Sequence, residues 1–192
     1  MVNFALFETA IGCCGIVWSE RGTAGVQLPE RSEAATRNRL LQRFPAARDG
    51  APPAEVRRVI DDIVALLGGE RRDLNHVTID IAAVPEFHRR VYEVARRIPA
   101  GATLSYGEVA ERLGDRNLAR DVAEALSQNP CPIIVPCHRV LAAGGKPGGF
   151  SAPGGVATKL QLLTIEGAQP QGPMQGPMLF DRLPLAAARQ RR

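Results

Sequence analysis

A cysteine, a histidine and an arginine stand side by side at Cys137-His138-Arg139, with Pro136 before them and Val140 after. A thiol attacks only as its thiolate, and a neighbouring histidine or a helix N-terminus lowers the pKa that governs this. Neighbours in a strand point to opposite faces, so Cys137 and His138 cooperate only where the backbone bends. Pro136 fixes φ and donates no ladder hydrogen bond, which gives a reason for such a bend. Ile133 and Ile134 lead in, and Gly144-Gly145-Lys146-Pro147-Gly148-Gly149 follows. The expectation is a short buried strand that delivers the cysteine to a turn, with a flexible loop behind it. The same residues also read as a small core thiol beside an unrelated imidazole.

The elements that would hold this turn fall into two halves. Residues 3–8, 11–19 and 22–28 are rich in Phe, Val, Ile and Trp, with breaks at Gly12 and at Arg21-Gly22-Thr23, and predict three strands. Ser32 is a good N-cap for a helix to about residue 44. Asp49 to Pro53 reads as a loop. Val56, Ile60, Ile63, Val64 and Leu67 recur at helical spacing over 54–68, and residues 75–82 alternate like a strand. Strands followed by helices suggest a small α/β lobe.

From Pro85 onward the pattern is helical. Phe87, Val91, Val94 and Ala95 mark a helix over 86–97. Ser105 with Glu108 forms a capping box for the next, and Gly114 ends that helix. Asn117 is the expected cap of a helix over 118–127. Two short helices joined by a tight turn are a helix-turn-helix pattern, though two ordinary packed helices look the same. Leu118, Val122, Ala125 and Leu126 form the apolar stripe of the second helix. Arg116, Ala119, Arg120, Ala123 and Ser127 share an adjacent face: the alanines permit close approach to another surface, and arginine supplies charge and a flat head. Arg120 could equally pair with Glu124 one turn on. Val156, Leu160, Leu163 and Ile165 mark a last helix over 155–166. Beyond Ala168 the composition changes, and Gln171-Gly172-Pro173-Met174 repeats at Gln175-Gly176-Pro177-Met178. A flexible, basic tail is expected over 169–192.

The 192 residues are 45% apolar with mixed charge, a globular composition. No apolar run is long enough to span a membrane, and no secretory leader is visible. The four cysteines form a poor disulfide framework, which fits a reducing cytoplasm. Cys13 and Cys14 read as small core residues, and no zinc ligand spacing accompanies them. The net charge of +4 permits a polyanionic partner without demanding one.

Several motifs together carry a resemblance. Phe87 to Tyr92, Ile98-Pro99-Ala100-Gly101, Ser105-Tyr106, Ala119-Arg120, Asn129-Pro130, Pro136-Cys137-His138-Arg139-Val140 and Leu162 to Gly167 occur in the order found in the alkylguanine-DNA alkyltransferases, also called methylated-DNA–protein-cysteine methyltransferases. The match covers roughly residues 4–168 and is most specific over 85–167. It implies a small RNase H-like α/β lobe over 1–84, and a mostly helical winged-helix or helix-turn-helix lobe over 85–168 that carries the cysteine. It also implies single-turnover DNA repair, in which O6-alkylguanine, and O4-alkylthymine as well, gives up its alkyl group to Cys137 after base flipping. His138 would deprotonate Cys137 through water and Glu166 would orient His138. Tyr106 would crowd the phosphate and donate to the guanine ring, and Asn129 would hold the turn. Arg120 would enter the stack from the minor groove, with Ala119, Ala123 and Ser127 beside it. Leu126, Val140, Phe150 and Ser151 would shape the base pocket. The resemblance implies no cofactor and a monomer whose cooperation with neighbours on DNA stays open; some members carry zinc in the first lobe, but no matching ligand set is seen here, and no metal is expected. Phe150 stands where the family's pattern has tyrosine, and Ser151 to Gly155 makes a longer loop than usual. The competing readings are a lesion-binding module without chemistry and a Cys-His hydrolase. The first of these lacks the cysteine, and the second would turn over repeatedly.

Overall fold

The first layer of the fold follows from period-two alternation. In the computed structural model, which describes residues 1–168, β1 (Asn3–Thr9), β2 (Gly12–Ser19) and β3 (Gly22–Gln27) form an antiparallel meander, as expected. Gly22 opens β3 at φ 125°, and a Cβ there would lie 2.5 Å from the Thr78 carbonyl oxygen, so the turn requires glycine. β4 (Arg48–Asp49) pairs parallel with the other edge of β1, where the sequence suggested that a loop begins, and the strand order is β3-β2-β1-β4. α1 (Glu33–Arg43) starts as expected, with the Ser32 hydroxyl accepting from the Ala35 amide at 3.2 Å. α2 (Ala54–Leu67) buries Val56, Val59, Ile63, Leu66 and Leu67, while Val64 faces solvent at 37% exposure.

The strand expected over 75–82 does not form. Only a single bridge joins Thr23 and Ile79, held by Thr23 N–H to the Thr78 carbonyl (2.9 Å) and Asp80 N–H to the Thr23 carbonyl (2.7 Å). The reason lies in Arg96, whose guanidinium takes the carbonyls of Leu74, Asn75 and Val77 at 3.2, 2.7 and 2.7 Å. These bonds fix residues 74–77 as a turn held against Arg96 and leave only Ile79 bridged to β3.

Helices dominate the rest. α3 (Glu86–Arg96), α4 (Tyr106–Arg112), α5 (Ala119–Ser127) and α6 (Val156–Ile165) pack with a two-stranded parallel pair, β5 (Leu104–Ser105) and β6 (Val140–Leu141). The capping box of α4 is complete: the Ser105 amide donates to Glu108 Oε2 at 2.6 Å and the Glu108 amide to Ser105 Oγ at 3.2 Å. Asn117 is not a cap. Asp115 takes that role, accepting from the Asn117 amide at 2.9 Å and opening a 3₁₀ turn over Arg116–Leu118 that leads straight into α5. Asp is as good a cap as Asn, so sequence could not separate the two.

One apolar cluster runs from Ile16 and Val26 in the sheet through Ile63 of α2, Val91 of α3 and Val122 of α5 to Ile134 and Val135. Within it the Tyr92 hydroxyl donates to the Ala125 carbonyl at 2.9 Å, which fixes α5 against α3. The chain is thus a mixed α/β fold with its sheet in the first part and its helices mainly in the second. No helix among the described residues is long and apolar enough to cross a membrane. The tail expected over 169–192 lies outside the described residues.

Candidate active site

The segment that reaches the cysteine is a knot of turns rather than the expected strand. Ile133 sits at φ 76°, an uncommon and strained conformation for a β-branched residue, and Val135 donates back to the Cys131 carbonyl at 2.8 Å. Asn129 makes this geometry possible. Its Nδ2 donates to the Val135 carbonyl at 2.8 Å and its Oδ1 accepts from the Cys131 amide at 2.9 Å. Ile133 and Ile134 are buried, so the apolar run reflects core packing and not a strand. Replacing Asn129 by alanine leaves the buried Cys131 amide unsatisfied, at about 1–3 kcal/mol, while the Val135 carbonyl keeps the Cys137 amide at 2.8 Å. The expected result is a lower denaturation midpoint together with slower thiol alkylation.

The turn ends in a 3₁₀ element, Cys137–Arg139, and supplies the bend that Cys-His cooperation requires. All four cysteines are free thiols. His138 is fully buried, and its Nε2 lies 2.9 Å from Glu166 Oε1. Arg139 binds the same carboxylate in a fork, Nε to Oε2 at 2.9 Å and Nη2 to Oε1 at 2.7 Å, and its Nη1 donates to the Ile98 carbonyl. Burial alone would raise the Glu166 carboxyl, but the hydrogen bonds from His138 and Arg139 bring it down to about 2. Burial, with Arg139 and Lys159 nearby, lowers His138 despite its carboxylate partner. An ionised Glu166 can only accept, so the neutral imidazole carries its proton on Nε2. The lone pair is then on Nδ1, which is buried and has no protein partner among the described residues.

Around Cys137 the structure gathers most of the residues singled out from sequence. Tyr106, Ala123, Leu126, Ser127, Phe150 and Ser151 line one cavity with it, of about 370 Å³. Ser151 Oγ donates to the Ser127 carbonyl at 2.8 Å, which draws the long loop against the end of α5. A second cavity of about 340 Å³ shares Cys137 and the Phe150-Ser151 wall and reaches Gln27, Arg39 and Arg43 of the first part. Burial and the nearby Cys137 raise the Tyr106 phenol, which keeps it a proton donor at neutral pH. Burial also raises the Cys137 thiol, against the pull of Asn129 and Lys159. Ala119 and Arg120 begin α5 outside the cavity lining; Arg120 is exposed and makes no ion pair among the described residues, so its suggested pairing with Glu124 does not form. Val140 is buried, and its carbonyl accepts from Lys159 Nζ at 2.6 Å.

Sequence reasoning missed Lys159. It occupies the buried face of α6 with Leu162 and Leu163, whereas Val156, expected to be apolar core, is 39% exposed. A lysine three and four residues before two leucines was the available signal. In the first part, Glu8, Cys13 and Glu33 bring ligand atoms within 4.8 Å of one another, but both carboxylates are exposed, and burial together with Glu8 pushes the Cys13 thiol up to about 11.

Residues 86–168 match the family model described as "6-O-methylguanine DNA methyltransferase, DNA binding domain". A methylated-DNA–protein-cysteine methyltransferase of Methanothermobacter thermautotrophicus is 35% identical over 158 residues, 82% of this chain and 81% of its own length. The chain belongs to the methylated-DNA–protein-cysteine methyltransferase family. The crystal structure of Mycobacterium tuberculosis O6-methylguanine methyltransferase is similar at a TM-score of 0.68 and 30% identity, covering 91% of this chain and 96% of that one. A second structure of the Mycobacterium tuberculosis protein, in complex with DNA, is similar at 0.69 and 28% identity over 86% and 92% of the two chains. This methyltransferase therefore has DNA as its partner, and its sheet-plus-helices layout is that of the relatives.

Proposed function

We propose that this methyltransferase repairs DNA by moving the alkyl group of O6-alkylguanine onto Cys137 once and irreversibly. The observation that carries the reading is a cysteine at the wall of a cavity, next in sequence to a neutral histidine locked onto a buried, ionised Glu166. Cys137 loses its proton through water to Nδ1 of His138, and Glu166 stabilises the imidazolium that forms. The sulfur lone pair attacks the alkyl carbon, an S–C bond forms, the C–O6 bond breaks, and its electron pair stays with the guanine. Tyr106 donates to the ring nitrogen as that charge develops, and the proton that left sulfur ends on the base. A thioether is inert, so each molecule acts once, and no cofactor is needed because the alkyl group itself is transferred.

The roles proposed on DNA draw their support from where these residues lie. Residues 85–168 form the lobe that binds the minor groove, and residues 1–84 brace it. The start of α5 faces the duplex, with Ala119, Ala123 and Ser127 permitting close approach and Arg120 filling the space left by the flipped base. Leu126, Phe150 and Ser151 enclose that base, whereas Val140, fully buried and outside the cavity lining, does not. A monomer suffices for this chemistry, and a reducing compartment such as the cytoplasm keeps the thiol available.

Intact mass and peptide mapping after reaction with an O6-methylguanine duplex test the proposal. The expected result is a permanent gain of one CH₂ on Cys137. Tight, lesion-selective binding without mass gain would instead assign a lesion sensor. Arg120→Ala should slow repair in duplex DNA roughly tenfold or more while sparing reaction with the free modified base, the energy of flipping being a few kcal/mol. An equal loss on both substrates would remove Arg120 from the flipping step.

A further inference from the structure

The space at Cys137 divides in two. One cavity includes Tyr106 and Gly149 in its lining. The other, of about 340 Å³, shares the thiol and the Phe150-Ser151 wall and opens toward the first part of the chain. Tyr106 lines only the first, so its proposed hydrogen bond to the guanine ring puts the base there. Displacement at carbon keeps the incoming sulfur and the leaving O6 on one line, on opposite sides of the reacting carbon. Whatever else that carbon carries projects sideways from this line. With the base in the first cavity, the second is the space left for it. A methyl group takes roughly the 30 Å³ of a water molecule and leaves most of that volume unused.

The residues that α1 and the segment before it give to this second cavity are charged: Arg39 and Arg43, one turn apart, and Glu30. Neither arginine forms an ion pair among the described residues, with Glu30 or with any other carboxylate. Arg43 donates to the Val26 and Pro130 carbonyls and to the Gln27 side-chain oxygen, all uncharged acceptors. Desolvation lowers its guanidinium pKa, and the like charge of Arg39 beside it lowers it further. Arginine stays protonated all the same, so the lining holds two positive charges against one negative. Ser127, Gln128 and Asn129, which also line the cavity, are neutral.

We propose that the second cavity selects the O6 substituent by charge, favouring a carboxyalkyl chain over a neutral chain of the same length. The proposal rests on Cys137 being the acceptor and on the base lying beside Tyr106. The step itself is unaltered: the S–C bond forms, the C–O6 bond breaks, its electron pair stays with the guanine, and the carboxylate is carried onto sulfur unchanged. Arg39 and Arg43 act on the far end of the transferred group and are specificity residues. A carboxylate between them gains charge-assisted hydrogen bonds from planar guanidinium donors and offsets the repulsion between two like charges. A neutral substituent gains neither, and a methyl group carries nothing for them to read.

The probes are two free bases matched in length and differing in charge, O6-(3-carboxypropyl)guanine and O6-(3-carbamoylpropyl)guanine. Free bases keep DNA phosphates out of the comparison. Transfer to Cys137 of the full-length protein is followed by intact mass against time, and the readout is the ratio of the two rates. The parent should take the carboxylate about threefold or more faster, the scale of one exposed ion pair, and added salt should shrink the ratio. Arg39→Gln should bring the ratio toward one. Glu30→Gln removes the opposing charge and should raise it. Arg39 is exposed and Glu30 is half-buried, so both variants should fold, and comparing two substrates on one variant cancels any change in the reactivity of the thiol. A parent ratio of one or less overturns the proposal, and so does a parent preference that neither substitution moves. An O6-methylguanine duplex separates the two readings: methyl gain on Cys137 with a ratio of one removes the charge selection alone, whereas no mass gain from any of the three substrates removes the acceptor on which it stands.

Discussion

Replacing Cys137 with alanine eliminates alkyl transfer and leaves affinity for DNA unchanged. The thiol supplies the only electron pair in the proposed step, and no neighbouring group can substitute: His138 is buried with its Nε2 held by Glu166, and the hydroxyls of Tyr106 and Ser151 are far weaker nucleophiles. The substitution removes one sulfur from a cavity wall. It leaves untouched the hydrogen bonds of Asn129 that hold the turn, and it leaves Arg120 and the exposed face of α5 as they are. Fold and docking surface therefore persist. Mass analysis should show no adduct and a gel-shift titration should match the parent. A parallel loss of binding and transfer would mean that Cys137 serves the architecture of the turn and not the reaction.

The second large effect is expected at Arg139. Replacement by methionine retains much of the stem and removes both forked hydrogen bonds to Glu166. Breaking one side of a buried ion pair costs about 3–5 kcal/mol, because the partner charge is left uncompensated. The carboxyl of Glu166, held near 2 in the parent, should rise toward or beyond its ordinary value of 4.5. Linkage then fixes the pH behaviour. A depressed carboxyl contributes stability that is fully present above 4.5 and is lost as pH falls toward 2. The parent should resist mild acid that unfolds Arg139→Met, and transfer should fail in the variant because His138 loses its fixed orientation. Chemical denaturation at neutral and mildly acidic pH checks this. A variant with the parent's stability at both would show that the fork is replaceable.

How much of this was legible in the sequence depended on what each residue answers to. The sheet meander, the Ser32 and Ser105 caps and the cavity residues from Tyr106 to Ser151 answer to local pattern or motif, and they could be read. The strand over 75–82 could not, because its first residues are held in a turn by Arg96, about twenty residues away in sequence. The approach to Cys137 misled for a similar reason. Ile133 and Ile134 are apolar because they are buried, and the side chain of Asn129, rather than a strand partner, satisfies the backbone. Lys159 was invisible to a hydrophobic stripe that assigned its face to Val156 and Leu160. Its spacing three and four residues ahead of Leu162 and Leu163 was the one cue the sequence held.

The attachment of the turn to the sheet has a mechanical consequence. The Val26 amide donates to the Pro130 carbonyl at 2.9 Å, and the guanidinium of Arg43 clasps the Val26 carbonyl, Gln27 and the Pro130 carbonyl at 3.0, 2.9 and 3.1 Å. The residues just before the nucleophile are therefore riveted to β3 from two sides. These bonds oppose any separation of the turn's first residue from the sheet. The opposite wall is of another kind: Gly148, Gly154 and Gly155 adopt positive φ around Phe150. The two walls of the cavity are thus built differently, one tied to the sheet and the other carried on a glycine-rich loop.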